Sequence, residues 1–323
     1  MVQKSVIIVC RSESMDDFHQ IARRAHRLDP SIAVVPIAEH LHSSLIPKPL
    51  LNLPMLVIFL VNPPDKEFHI AGKMAVKHMT KLEEYEHFKK HNISCLPIES
   101  FTWGMTLDKS TYGDWVVLKP QTIQSTGKDV NMVPTDLIPT LTLEDFPEDH
   151  LMRQDQYYVQ KFVKTGEKPS HYRVLVFCGE VLFIKKTISV IGFPHPQSDI
   201  RTLLRSNIAS NISDDNLREV SMPLDQKVFD FALKIANTHY DLPLFGLDIL
   251  ENKETDELIC LEQNSGGNVW HFSSNFSKRN DANYFSIQRV AAKIDDKKAK
   301  INQYGAWDRA AEGLIRKTHE LAK

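Results

Sequence analysis

No Cys-x-x-Cys pair occurs in this chain, and its four cysteines, Cys10, Cys95, Cys178 and Cys260, stand far apart. That spacing argues against a structural zinc site, and the thiols read as free groups in a reducing compartment. Long hydrophobic runs are missing too. The longest, "LLNLPMLVIFLV" over 50–61, is broken by Asn52 and Pro54, short of the roughly 20 apolar residues a spanning helix needs. No membrane association is expected. The opening "MVQKSVIIVCRSES" turns polar too early for a signal peptide, so a cytoplasmic location is expected. Charge of one sign is not in excess either, with 39 Lys plus Arg against 41 Asp plus Glu. Nucleic-acid binding, which needs a concentrated basic surface, is therefore disfavoured. No Gly-x-Gly-x-x-Gly turn follows the first strand-like run, where "CRSES" stands, which argues against dinucleotide binding there. There is no internal repeat and no low-complexity tract.

What remains is a globular composition, 42% apolar and 25% charged over 323 residues, enough for a large core and two or three structural units. The first unit reads as α/β. Runs "SVIIVC", "SIAVVPI" and "MLVIFLVN" alternate with a helix near Met15 to Leu28, a pattern of parallel strands. "MAVKHMTKLEEYEHFKKHN" over 74–92 has helical spacing through Leu82, Tyr85 and Phe88. Strands follow at "DWVVLKP" and, after the turn "QTIQSTGKDV", at "NMV". "YYVQKFV" reads as a further strand, and "CGE" turns a hairpin between "YRVLVF" and "VLFIKK". Residues 193–222 read as a polar connection with some helix, 224–240 as a helix, and 281–323 as helical with "DDKKAK" exposed.

Two late strand-like runs, Leu244 to Leu250 and Leu258 to Leu261, carry Asp248 on one and Glu262 with Asn264 beyond the other. Strand side chains alternate, so Glu262 and Asn264 share a face. Two carboxylates and an amide form a hard-oxygen set of the kind magnesium takes together with phosphate oxygens. Taken alone, the same residues also fit ordinary strand-end polar positions. Cations then cluster around the same presumed cleft. Lys119 closes the strand "VVLK", Lys81 lies on the preceding helix, and Arg173 with the pair Lys185 and Lys186 lies on the hairpin, a set suited to a polyphosphate.

The order Lys81, "VVLKP", "YYVQKFV", Glu167, "HYRVLVFCGEVLFIKK", "FGLDIL" and "ICLEQN" resembles the ATP-grasp superfamily, of the carboxylate–amine ligase type, over about residues 75–275. The resemblance implies an α/β fold, α+β in part. An N-terminal parallel-sheet domain (1–74) would precede two α+β subdomains (75–157 and 158–323) that clamp the nucleotide. It implies ATP and Mg2+ as cofactors, with one or two ions and Mn2+ able to substitute. Lys81 and Lys119 would hold phosphates, and Ser125 with Gly127 would form a flap in which other family glycines are missing. Gln160, Lys161 and Val163 would read adenine, and Glu167 would bind ribose. Arg173, Lys185 or Lys186, Arg205 and Asn207 would meet the phosphates, with Lys119, Arg173 and Arg205 assisting transfer. Asp248, Glu262 and Asn264 would hold the metal.

The segment after the metal set, Gly266, Gly267, Asn268 and His271, would contact the acceptor; the alternative is a plain turn with Trp270 in the core. The activity implied is joining an acid, an amino acid or peptide, to an amine through an acylphosphate, releasing ADP and phosphate. A kinase on the same fold, or a nucleotide-binding regulator without turnover, are the alternatives. The apolar first domain is compatible with a homodimer.

Overall fold

The computed structural model describes residues 2–39, 46–62, 72–121, 128–209, 218–266, 269–270, 272 and 287–323, with the backbone alone over 287–294. The first sheet is parallel. Its strands β1 (Lys4–Cys10), β2 (Ile32–Ala38), β3 (Met55–Phe59) and β4 (Gly72–Ala75) lie in the order β2-β1-β3-β4. β1 is buried from Ser5 to Cys10, as a strand covered on both faces must be. Helix α1 (Met15–Leu28) covers one face, burying Phe18, Ile21 and Ala25 at helical spacing.

The 74–92 segment does not begin as a helix. Burial alternates from Gly72 to Val76, which makes this stretch the edge strand β4. Helix α3 starts only at Lys81 and runs to Lys90, because Thr80 and Glu83 form a reciprocal capping box in which the Thr80 N–H donates to Glu83 at 2.7 Å. A short helix α2 (Lys48–Leu51) precedes β3.

The second sheet is antiparallel: β11 (Arg218–Ser221), β10 (Glu180–Ser189), β9 (Ser170–Phe177), β12 (Leu244–Asn252) and β13 (Glu257–Ser265), in that order. The "CGE" turn is present, with Cys178 and Gly179 both at positive φ, 48° and 82°. Helix α6 (Gln226–Ala236) buries Val228, Ala232 and Ile235 on one face. Helices α7 (Ile287–Gln303) and α8 (Ala306–Leu321) complete the chain. One core joins the first two sheets, running from Val6, Ile8 and Phe18 to Phe177, Leu182 and Leu314. Trp270 belongs to it, 1% exposed, its indole N–H given to Asp17 at 3.0 Å.

The third sheet, also antiparallel, orders β5 (Ile98–Ser100), β8 (Tyr157–Lys161), β6 (Trp115–Pro120) and β7 (Asn131–Pro134) as β5-β8-β6-β7. Helix α4 (Lys109–Tyr112) lies beside it. Its core of Val116, Leu118, Val133, Tyr157 and Val159 also takes Leu204, from helix α5 (Ile200–Arg205). The polar connection over 193–222 thus supplies a helix to one sheet and the edge strand β11 to another. The tail "DDKKAK" is not wholly exposed: Lys300 is 4% exposed, paired with Asp296, and its stem crosses Phe183 with Nζ 5.7 Å from the ring centre. The architecture is the mixed α/β class read from the sequence.

The end of α8 returns to the first sheet, where Met55 donates its N–H to the Lys323 carbonyl at 3.1 Å. Gly72 makes this approach possible, since a Cβ there would lie 2.4 Å from the Leu321 oxygen and 2.7 Å from the Met55 oxygen. Both are backbone atoms and cannot rotate away. Gly72→Ala is expected to lower stability by about 1–3 kcal/mol through overpacking, read as a drop in urea midpoint; an unchanged midpoint would show that the α8 end is not held as described.

Candidate active site

Cross-strand pairing places four charged residues in one rank. Lys185 on β10 lies opposite Arg173 on β9, Arg173 opposite Asp248 on β12, and Asp248 opposite Glu262 on β13. Directly paired residues share a face, so the rank crosses four strands as two cations followed by two carboxylates. Next to it β13 carries a bulge, with Asp248 paired to Glu262 but Ile249 to Cys260, leaving Leu261 as the extra residue. The bulge sends Cys260 into the core beside Ile249 while Glu262 and Asn264 face the cleft.

The contacts within the rank are close. Arg173 holds Asp248 through one hydrogen bond, Nη2 donating to Oδ2 at 2.7 Å, with Nε in ion-pair contact 2.5 Å from Oδ1. The Asn264 amide donates to Glu262 Oε1 at 3.0 Å and to Asp248 Oδ2 at 3.4 Å, so the three side chains converge. Lys81 Nζ lies 3.4 Å from Glu262 Oε2 and donates to both oxygens of Glu84 at 3.2 Å. Glu84 also accepts the Gln263 N–H at 3.1 Å, which ties α3 to the strand bearing the carboxylates. The Lys119 ammonium faces the same cleft from β6 and forms no hydrogen bond or ion pair among the described residues.

These surroundings set the proton affinities. Burial drives the Asp248 carboxyl up to about 7 against the pull of Arg173, and the neighbouring Glu262 adds to the rise. Burial opposes ionisation of Glu262 too, but Lys81 and Lys119 outweigh it and hold that carboxyl below its usual range. Burial would lower Lys81, yet Glu262 and Glu84 keep its ammonium above the usual range. Lys119 goes the other way: burial brings it down to about 8, only partly offset by Glu262. His171, 3.8 Å from Asp248, is held neutral, lowered to about 3 by burial and then by Arg173 and Lys185.

The cleft, of about 1040 Å³, is lined by Lys81, Lys119, Gln160, Lys161, Val163, Arg173, Asp248, Glu262, Asn264 and Gly266, all singled out in the sequence. Leu96, Tyr158, Leu250 and Leu261 add an apolar slot beside Gln160. At its far end the cleft reaches Arg11 and Asn62, just past the C-terminal ends of β1 and β3. Glu84 and His171 also line it and were not found from sequence; one reads as a helix-surface acid and the other as a strand-end polar residue.

Other candidates stand apart. Lys185 belongs to the rank but does not line the cleft; burial, with Lys300, Arg218 and Arg173, lowers its ammonium to about 8. Lys186 points to the opposite face, donating to the Tyr172 hydroxyl at 3.0 Å. Glu167 is exposed on the turn between the lining residues Thr165 and Pro169. Arg205 is exposed at the end of α5, and Asn207 lies outside the lining although Ile208 and Ala209 belong to it. Ser125, Gly127, Gly267, Asn268 and His271 fall outside the described residues.

Among the described residues no group of three or more His, Cys, Asp and Glu side chains is disposed to hold a metal. The converging set here is two carboxylates and an amide, and it fits a hard cation. Two neighbouring carboxyls, one buried and pushed up first by that burial and then by the other's charge, are what a divalent cation between them would relieve. The amide now offers its N–H; turned over, it would offer its oxygen.

No protein-family model matches the chain, and no curated protein does. Among solved structures it is similar to D-alanine–D-alanine ligase from Bacillus anthracis, at 13% identity and a TM-score of 0.45, covering 99% of this chain and 100% of that one. It is similar to the D-cycloserine synthetase DcsG, at 11% and 0.45, covering 97% and 99%. A third is a RiPP-associated ATP-grasp ligase from Chryseobacterium gregarium in complex with ADP and a leader and core peptide, at 13% and 0.44, covering 91% and 96%. Likenesses this remote carry nothing about activity.

The lowered Lys119 pKa has a stability consequence. Its folded value, about 8, lies below its ordinary value of 10.5, so the unfolded chain binds more protons between the two and stability rises with pH across that window. Below it the buried charge is fully destabilising. Lys119→Met is expected to raise the urea midpoint at pH 7, with the gain shrinking as pH climbs through the window; a gain independent of pH would contradict the assignment.

Proposed function

We propose that this protein is an ATP-dependent carboxylate–amine ligase. The observation that carries the reading is the convergence of Asp248, Glu262 and Asn264 opposite the Lys119 ammonium, which has no partner among the described residues, across one cleft. A polyphosphate needs both halves: oxygens to hold its metal, and cations to meet its own oxygens. The adenine would enter the slot of Leu96, Tyr158, Leu250 and Leu261, where the Gln160 amide can accept from its amino group. The Lys161 N–H is already given to the Pro97 carbonyl at 3.0 Å, so the Lys161 carbonyl is what that residue's backbone has left to offer a base.

Asp248, Glu262 and Asn264 would hold magnesium, which neutralises phosphate charge when bound. The chain's own part is positioning and charge. Lys119 and Arg173 face the transferred phosphoryl group and stabilise the charge that spreads over its oxygens. The acceptor carboxylate takes the phosphoryl group to give an acylphosphate and ADP; an amine then attacks the acyl carbon and phosphate leaves. No strong general base is required of the protein for the first step, and neutral His171 does not supply one. The stretch of cleft running to Arg11 and Asn62 at the strand ends is the place for acid and amine, where parallel sheets present their ligands.

Two measurements test this. Incubation with ATP, magnesium and pools of amino acids and small acids is expected to release ADP and phosphate only when acid and amine are both present. Release of AMP would overturn the reading, and a lasting phosphorylated acceptor would make the protein a kinase. Glu262→Gln is expected to lower magnesium-dependent turnover by roughly 100-fold or more, the scale of losing one charge-stabilising group, with circular dichroism unchanged. An unaffected rate would remove Glu262 from the metal set.

A further inference from the structure

Each carboxylate of the converging set already carries a cation of the chain itself. Arg173 grips Asp248 with two nitrogens, at 2.5 and 2.7 Å, and Lys81 lies 3.4 Å from Glu262. The Asn264 amide N–H lies between them, at 3.0 and 3.4 Å. A metal approaching these oxygens meets positive charge from both lysine and arginine, whereas a nucleotide approaching the lysine and arginine meets cations whose charge is committed to carboxylates. Neither ligand alone finds the site prepared. Together they exchange partners: the metal takes the carboxylates and the phosphates take the cations.

We propose that Lys81 and Arg173 are exchangeable counter-ions, passed from Glu262 and Asp248 to the nucleotide's phosphates, so that metal and nucleotide bind as a coupled pair and the metal alone binds weakly. This rests on the nucleotide–metal reading of the cleft. The two cations are built differently. The Arg173 stem packs over bare backbone at Gly246, its Cδ and Nη1 each 3.5 Å from where a Cβ would stand, and it meets Asp248 through a hydrogen bond from Nη2 and a close contact from Nε. Lys81 is the mobile partner. It sits in the first turn of α3 on a flexible stem, with a quarter of its side chain exposed. Glu84 is fixed by the Gln263 N–H and contacts Lys81 through both oxygens, so the ammonium can leave Glu262 without leaving Glu84. Coupling of this kind is reciprocal: whatever the nucleotide adds to metal affinity, the metal adds to nucleotide affinity.

The experiment measures Mn2+ binding to the full chain by the electron paramagnetic resonance of free Mn2+, without nucleotide and with a non-hydrolysable ATP analogue. An opposite charge within about 4–6 Å changes a carboxylate's cation affinity by about tenfold or more, judged from its effect on protons. Lys81→Met is therefore expected to raise nucleotide-free Mn2+ affinity by about tenfold, and to shrink the gain from the analogue by a similar factor. Lys81→Arg, which keeps the charge, is expected to behave as the parent. Lys77→Met, removing an exposed lysine outside the cleft lining, is expected to change neither value. If Lys81→Met leaves nucleotide-free affinity unchanged or lower while the parent still binds Mn2+ with the analogue, the counter-ion role is wrong and the metal–nucleotide site stands. If the parent binds no Mn2+ even with the analogue, both are overturned.

Discussion

The structure of the cleft depends on keeping Asp248 and Glu262 side by side and largely out of water. Desolvating two like charges is expensive, and removing one partner from such a cluster leaves an uncompensated charge. The rank across the second sheet sets Arg173 beside Asp248, and Lys81 from α3 stands against Glu262, which together make the arrangement tolerable. The rigidity behind it comes from the same strands. Tyr172 and Val174 flank Arg173, and Leu247 and Ile249 flank Asp248; all four turn into the core under α6, and the charged members turn to the cleft. Period-two alternation thus makes one sheet both wall and site.

Lys81 and Lys119 reach this rank by different routes. The chain after α3 runs alongside β13, where Cys260 gives its N–H to the Ser94 carbonyl at 2.8 Å and the Ser94 hydroxyl donates to Glu257 at 2.6 Å. With Phe88 and Ile93 packed in the second sheet's core, α3 is mechanically part of that sheet, and the backbone carrying Lys81 is fixed relative to Glu262 while its side chain stays free to move. Lys119 comes instead from the third sheet, which has a separate core. A displacement of the third sheet would therefore change the distance from Lys119 to the carboxylates and leave Lys81 in place.

Much of this was legible in the sequence because it is local. Strand runs, the hairpin turn, the shared face of Glu262 and Asn264, and the lysine closing "VVLK" depend on neighbours one to four residues away. The misses are of another kind. Counted from the Cys178–Gly179 turn, Arg173 should face Ile184; a bulge between Val181 and Phe183 shifts the register and brings Lys185 opposite it. The second bulge, at Leu261, is equally silent in sequence, as an extra apolar residue in an apolar strand. Glu84, within "KLEEYEHFKK", resembles any acid paired with a lysine one turn away. Its burial follows from α3 docking on β13, a contact between residues far apart in the chain. The strand at 72–75 was hidden because helical spacing further along overlapped a short alternating run.

The opposite shifts of the two lysines describe one design. Lys81, wedged between Glu84 and Glu262, has its charge committed and its ammonium stabilised. Lys119, equally withdrawn from water but without a described partner, is held closer to losing its proton. A cleft meant only to be stable would pair both or replace one by an apolar residue, since an unpaired buried ammonium gains nothing for the fold. Keeping one cation occupied and the other waiting is the arrangement expected where an anion arrives with its own metal. On the proposed nucleotide–metal reading, the waiting lysine would supply the first attraction, and the occupied one would be released as the carboxylates gain a metal.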